Sequence, residues 1–282
     1  MEPSFQAATL RIEDGVAEFV HANPASRNAM SMALRNDYAR MLDIVAADES
    51  VRVVLLRGSG GSFCAGGDLN EMASRMQDPA HSTPVSTRRR LGQATPWLRR
   101  LLELDALVIA EVDGAAAGAG FSLALHADLV LASSRARFCM SFPRIGAVPD
   151  FGAHYLLPRI AGLSAARGII LTGRTVGAPE ALALGIAHAI HAPQELADAA
   201  RALAAQVCRG PADALAMSKR MLNQSFDTDY ASLANQEALS QAVAMSAAYH
   251  RAAVERFVGK QAQVYDWDRD GAATGIGGAP AG

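Results

Sequence analysis

Two stretches of small residues in this 282-residue chain have the composition to present backbone N–H groups to a ligand. One is Ser62-Phe63-Cys64-Ala65-Gly66-Gly67-Asp68; the other is Asp113-Gly114-Ala115-Ala116-Ala117-Gly118-Ala119-Gly120. Each follows a run with the character of a buried strand and precedes a helical pattern. Small side chains let a ligand approach the main chain closely. The first N–H groups of a helix have no intrahelical acceptor and lie at the positive end of its dipole. Two such junctions facing each other would direct two donors at one developing oxyanion. Taken singly, either stretch reads better as a glycine loop packed tightly in an α/β fold. Neither is a phosphate loop, because Gly-x-x-x-x-Gly-Lys is absent and Gly-x-Gly-x-x-Gly is incomplete.

Other chemically able residues are scattered. Ser122, His126 and Asp128 contain the ingredients of a hydrolase triad, and Gly120-Phe121-Ser122-Leu123-Ala124 approaches a nucleophile elbow. Ser122 and His126 share a helix face at i,i+4, but Asp128 does not follow on it. Cys64 and Cys139 read as small buried packing residues. Arg88, Arg89, Arg90, Arg99 and Arg100 form either a solvated helix face or an attractor for phosphates. His21, His154 and His250 have no companions at metal-ligand spacing, so no metal site is expected.

The elements that must hold these residues alternate. Ala7–Ile12 and Val16–His21 flank Glu13-Asp14-Gly15 as a hairpin. Leu34, Tyr38, Met41, Leu42 and Val45 recur at helical spacing, which makes Met32–Ala47 an amphipathic helix. Val51–Arg57 and Leu107–Val112 are continuous apolar runs, the pattern of strands buried on both faces. Residues Asn70–Thr87 read as a short helix followed by a mobile loop, and helical spacing returns with Leu91, Ala94, Leu98, Leu101 and Leu102. Gly114–Gly120 reads as a loop, Phe121–His126 as the start of a helix, and Leu129–Ala132 and Arg137–Met140 as short strands. The chain divides into an α/β core over 1–195, a helical region over 196–270 and a flexible tail over 271–282.

Composition narrows the class. Half the residues are hydrophobic and 19% are charged, which places the chain among globular proteins. Lys plus Arg total 26 and Asp plus Glu 28, so the net charge of −2 gives no basic field for nucleic acid. Three cysteines exclude a disulfide framework and point to a reducing, cytoplasmic setting. No signal peptide is visible. The most apolar region, Leu104–Ala132, is interrupted by Glu111, Asp113, His126 and Asp128, so no membrane span is expected.

Ser62–Leu69 (SFCAGGDL) together with Asp113–Leu131 (DGAAAGAGFSLALHADLVL) resembles the double signature of the crotonase, or enoyl-CoA hydratase/isomerase, superfamily. Asn23–Ala29 (NPASRNA), Phe138, Ile145–Asp150 (IGAVPD), Leu157–Gly162 (LPRIAG) and Leu171–Arg174 (LTGR) match the same pattern in order. The resemblance runs from about residue 7 to 260. It implies a spiral of ββα units with a C-terminal helical trimerisation region, assembled as a trimer or a dimer of trimers. It implies an acyl-CoA or enoyl-CoA substrate and no separate cofactor, because CoA is part of the substrate. Gly67 and Ala119 would be the two oxyanion donors. Arg27 would lie at the nucleotide end of the ligand, and Ala29, Ala65, Asp68, Leu69, Ala117, Ser122, Phe142 and Pro149 along the substrate path.

The departures from the family pattern decide the chemistry expected. Ser122 and Phe142 occupy the positions where the family's hydratases carry two glutamates. Adding water needs one group to activate it and another to deliver a proton. Phenylalanine does neither, and an unassisted serine is a poor base. Asp150, in Val148-Pro149-Asp150-Phe151-Gly152, resembles the active-site aspartate of branches that include the ring-epoxyphenylacetyl-CoA isomerases and the 4-chlorobenzoyl-CoA dehalogenases. One carboxylate in an apolar pocket has a raised pKa and can shuttle one proton. Asp150 would otherwise be a helix N-cap for the segment from Phe151. The expected activity is enolate-stabilised proton transfer with double-bond isomerisation. The alternatives are hydration or a lyase reaction through Asp150 and water, or non-catalytic acyl-CoA binding.

Overall fold

The computed structural model describes residues 5–276. Strands β1 (Ala8–Glu13) and β2 (Val16–His21) pair antiparallel around Asp14-Gly15, where both residues take positive φ. Helix α1 (Met32–Ala47) follows; Ser31 caps it by accepting the Leu34 N–H, and its stripe of Leu34, Tyr38, Met41, Leu42 and Val45 is buried. Next come β3 (Val53–Gly58), α2 (Leu69–Met76), α3 (Pro84–Gly92) and α4 (Thr95–Glu103). The loop expected up to Thr87 is therefore shorter. Thr83 accepts the Ser86 N–H and Pro84 stands where no N–H is needed, so capping starts α3 although the helix buries no residue.

The middle of the chain forms β4 (Leu107–Val112), β5 (Ala115–Ala117), α5 (Ala119–Ala124), β6 (Leu129–Ser133) and β7 (Arg137–Cys139). Helices α6 (Ala153–Ala161) and α7 (Leu163–Thr172), strand β8 (Thr175–Gly177), helix α8 (Ala178–Ala183) and strand β9 (Ala189–His191) complete the core. The main sheet has the order β1-β2-β3-β4-β6-β9 and is parallel from β2 onward. Burial on both faces explains the unbroken apolar runs of β3 and β4. A second sheet, β5-β7-β8, receives the chain after each main strand: β4 leads to β5 and α5, and β6 leads to β7 and then α6. Cys64 extends that sheet through a parallel bridge to Ala116, so β3, Cys64 and α2 repeat the unit. This is the expected ββα spiral.

Two local readings change. Gly114–Gly120 is not wholly loop, because three of its alanines form β5 against Arg137–Cys139. Identical side chains carry no periodicity, so only pairing reveals such a strand. Helix α5 also begins at Ala119, two residues before Phe121, and this places Ala119 at a helix N-terminus.

Helix α9 (Leu196–Cys208) lays Leu196, Ala200, Leu203 and Val207 against Val53, Leu55, Ile109 and Leu131 of the sheet. Helix α10 (Ala212–Gln224) is pinned by Lys219, whose Nζ lies 2.7 Å from Asp128 and donates to the Ala106 carbonyl at 3.0 Å. Helices α11 (Tyr230–Ser246) and α12 (Ala248–Val258) bury no residue fully. After α13 (Trp267–Asp270), Gly271–Thr274 form a 3-10 turn with Thr274 buried, so the expected tail is ordered as far as residue 276. The remainder of that tail lies outside the described residues. Among the described residues no helix is long and apolar enough to cross a membrane.

Candidate active site

The two small-residue junctions stand side by side. Cys64 donates its N–H to the Ala115 carbonyl and accepts the Ala117 N–H, both at 2.9 Å. A Cβ on Gly120 would lie 2.2 Å from the Cys64 oxygen, and one on Gly66 would lie 2.7 Å from the Ala117 oxygen. Only glycine permits that approach, and Gly66 also holds φ +98°. Met30 bridges Gly67 in parallel and donates to the Gly66 carbonyl at 2.6 Å. In that register Met30 supplies the bonding groups, and the Gly67 N–H turns to the other side. Ala119 is the first residue of α5, so its N–H has no intrahelical acceptor. The Gly67 and Ala119 N–H groups, the two donors that the resemblance implied, thus belong to adjacent junctions.

Behind the first junction, buried Asn28 (φ +56°) donates Nδ2 to the Ser59 and Ser62 carbonyls at 2.8 and 2.7 Å. The neighbouring Arg27 is exposed, and its carbonyl accepts the Ala65 N–H at 3.0 Å. Ala29 is buried next to it. Asp68 spends its carboxylate on capping α2, accepting the Asn70 and Glu71 N–H groups at 2.9 and 3.1 Å. Leu69 is exposed beside it. Ala65, Ala117, Phe142 and Pro149 are half-buried, and a Cβ on Gly118 would sit 3.7 Å from the Phe142 ring.

The hydrolase triad does not form. Ser122 is fully buried and donates its hydroxyl to the Gly118 carbonyl at 3.3 Å. His126 contacts the Ser122 carbonyl through Nδ1 at 2.9 Å, and burial pulls its pKa down to about 4. Asp128 is committed to Lys219 and to the Val108 N–H.

Asp150 is presented by a strained turn. Phe151, a residue with a Cβ, sits at φ +54° and Gly152 follows at +73°. Phe151 is held there by its edge-on contact with Trp97, 5.5 Å between centroids, and by the Arg35 guanidinium 5.1 Å from its ring. The N-cap of α6 is Gly152, and no side chain caps that helix, so Asp150 has no capping role. Its Oδ1 is sealed from solvent with no hydrogen-bond partner. Burial raises its pKa above the usual carboxylate range, opposed by the charges of Arg35 and Arg90.

Sequence reasoning missed Arg35, which is buried on α1, and Glu71 of α2. Glu71 accepts the Met32 N–H at 3.2 Å and pairs with Arg75. The available signal was Arg35 itself, which occupies the apolar face of α1 with Tyr38 and Leu42 at +3 and +7. The five arginines divide: Arg99 and Arg100 pair with Glu103 and Asp43, whereas Arg90 acts on Asp150 and Arg35. Among the described residues no cluster of His, Cys, Asp and Glu has the makings of a metal site.

A spiral of ββα units with two glycine junctions packed side by side is the crotonase fold. Residues 11–268 match the enoyl-CoA hydratase/isomerase family, and the chain belongs to that family. It is 34% identical over 250 residues to 1,2-epoxyphenylacetyl-CoA isomerase of Escherichia coli strain K12, covering 89% of this chain and 94% of that one. It is 30% identical over 221 residues to the short-chain-enoyl-CoA hydratase of Clostridium acetobutylicum, covering 78% and 82%. The crystal structure of an enoyl-CoA hydratase/isomerase from Cupriavidus metallidurans CH34 superposes with a TM-score of 0.87 at 36% identity, over 93% of this chain and 97% of that one.

Proposed function

We propose that this enzyme moves a double bond within an acyl-CoA thioester by proton transfer through a bound enolate. Asp150 takes a proton from a carbon of the acyl chain, and the electrons of that C–H bond pass into the conjugated thioester. The Gly67 and Ala119 N–H groups stabilise the resulting oxyanion. The carboxyl then returns its proton at a different carbon, so the substrate gains and loses nothing overall. CoA enters as part of the substrate, with exposed Arg27 at its nucleotide end. The exposed apolar residues of α11 and α12 support assembly as a trimer or a dimer of trimers.

The Asp150 carboxyl carries this reading: it is half-buried with Oδ1 sealed and unpartnered, caps no helix and is raised in pKa, whereas Ser122 and Phe142 offer no acid or base. A hydratase needs a second proton-carrying group beside the thioester, and neither of these positions supplies one. The test is mass spectrometry of 3-enoyl-CoA thioesters incubated in heavy water. Isomerised product with no added water is the expected result, with deuterium on carbon only to the extent that the carboxyl exchanges its proton with solvent before returning it. Net hydration as the main outcome would assign the chain to the hydratases instead.

A further inference from the structure

Arg35 is the least satisfied cation in the site. It is 8% exposed, with Nε and Nη1 sealed and unpartnered, and among the described residues it forms no ion pair. Asp150 is likewise unpartnered at Oδ1, and the two side chains act on each other electrostatically. The Arg35 guanidinium stands 5.1 Å from the ring of Phe151, the residue next to Asp150, and among the described residues no ion pair joins Arg35 to Asp150. Arg35 belongs to the first turn of α1, whose N-cap, Ser31, follows Met30, the residue bridged to Gly67. The guanidinium thus lies on the helix that follows the residue bridged to Gly67 and packs over the residue that follows Asp150. The charges of Arg75 and Glu71 on α2 and of Arg90 on α3 also act on it. Three guanidiniums meet two carboxylates, so one positive charge is in excess.

A buried charged donor without an acceptor costs more than an ordinary lost hydrogen bond, and a hydrocarbon chain beside it leaves that cost in place. We propose that Arg35 is a specificity-determining residue that receives an oxygen acceptor on the acyl group, so that the preferred substrates are oxygenated acyl-CoA thioesters rather than plain hydrocarbon ones. The proposal rests on the reading of Asp150 and Gly67 as the reaction centre. An acceptor lodged there would satisfy Arg35 and hold the acyl chain beside Asp150. A site built to bond an oxygen discriminates strongly against the analogue that lacks it.

Binding to saturated thioesters tests this apart from the chemistry, because these compounds cannot isomerise. Calorimetry on the full chain would compare hexanoyl-CoA with hexanoyl-CoA analogues hydroxylated at C3 to C6, and with adipoyl-CoA. At least one oxygenated thioester is expected to bind about tenfold or more tighter than hexanoyl-CoA. Preference for a hydroxylated analogue identifies a neutral acceptor, and preference for adipoyl-CoA an anionic one. Arg35→Met should erase the difference while leaving hexanoyl-CoA binding equal or improved. Arg35→Leu, which likewise has no donor, gives the same comparison if the methionine variant fails to fold. Equal binding of all the thioesters by the parent protein, or a preference that survives both substitutions, would overturn the proposal. Isomerase activity on 3-hexenoyl-CoA in either case would leave the reading of Asp150 standing.

Discussion

The Tyr38 hydroxyl lies 2.6 Å from Nε2 of His21, with both side chains fully buried beneath the first glycine junction. The other ring nitrogen of His21 meets the Phe63 carbonyl at 2.8 Å. A carbonyl only accepts, so Nδ1 carries the proton and Nε2 accepts from tyrosine. Burial pulls the His21 pKa down to about 4, which keeps the ring neutral. The relay fixes Phe63, and through it the loop that ends at Gly67.

Tyr38→Phe removes the donor and strands Nε2 in the core. The expected loss is about 1–3 kcal/mol of folding free energy, the cost of an unsatisfied buried acceptor. Urea unfolding at neutral pH measures it. An unchanged midpoint would mean that the relay contributes nothing to stability.

His21 and His126 are both depressed to about 4, and burial lowers His188 as well. A histidine whose folded pKa lies below its unfolded value stabilises the fold above the unfolded value, near pH 6.5. That contribution is lost as pH falls through the folded value. Stability is therefore expected to decline between pH 7 and 5, with net proton uptake on unfolding. A flat stability profile across that range would contradict the assignment.

Gly67→Pro deletes one proposed oxyanion donor and adds no charge. Turnover should fall by about 10²–10³, the scale for losing one such donor, while CoA binding is largely retained. Steady-state kinetics paired with CoA titration make the comparison. Full activity in a folded variant would remove Gly67 from the oxyanion site.

Asp150→Asn keeps the shape but cannot accept a proton at neutral pH. Turnover should fall by at least about 10² with binding little altered. The raised pKa of Asp150 also sets two pH trends. Parent activity is lost as pH falls through the raised value, because the base becomes protonated. The neutral carboxyl favours the fold below the unfolded value, near pH 4, and that stability is lost as pH rises through the folded value. The asparagine variant should therefore be at least as stable as the parent at pH 7, with any advantage vanishing in acid. Near-normal activity in this variant would return Asp150 to a structural role.

Leu239 and Val243 of α11 and Phe257 and Val258 of α12 are each more than half exposed. Apolar surface of that extent favours association. Sedimentation at micromolar concentration should give a trimer or hexamer, and Phe257→Asp should shift it toward smaller species. A stable monomer would leave these faces without a partner of their own kind.

The local chemistry of this protein was written in short stretches. Gly66 and Gly120 stand where only glycine tolerates the close approach of another backbone, and Phe142, read through the family resemblance, cannot supply an acid because its ring never titrates. The stripe of α1 and the apolar runs of β3 and β4 were legible for the same reason: each burial pattern is complete within one element. Tertiary structure decided the rest. Strand β5 exists only through its partners, α3 through its cap, and the turn at Gly271–Thr274 through its contact with α9. Arg35 and Asp150 lie far apart in sequence, and neither is written as a partner of the other. Folding α1 against the Phe151 turn sets the Arg35 guanidinium over the Phe151 ring, next in the chain to Asp150, without an ion pair between the two charges. No periodicity encodes such a gap, because it depends on the distance between elements rather than on the residues within either one.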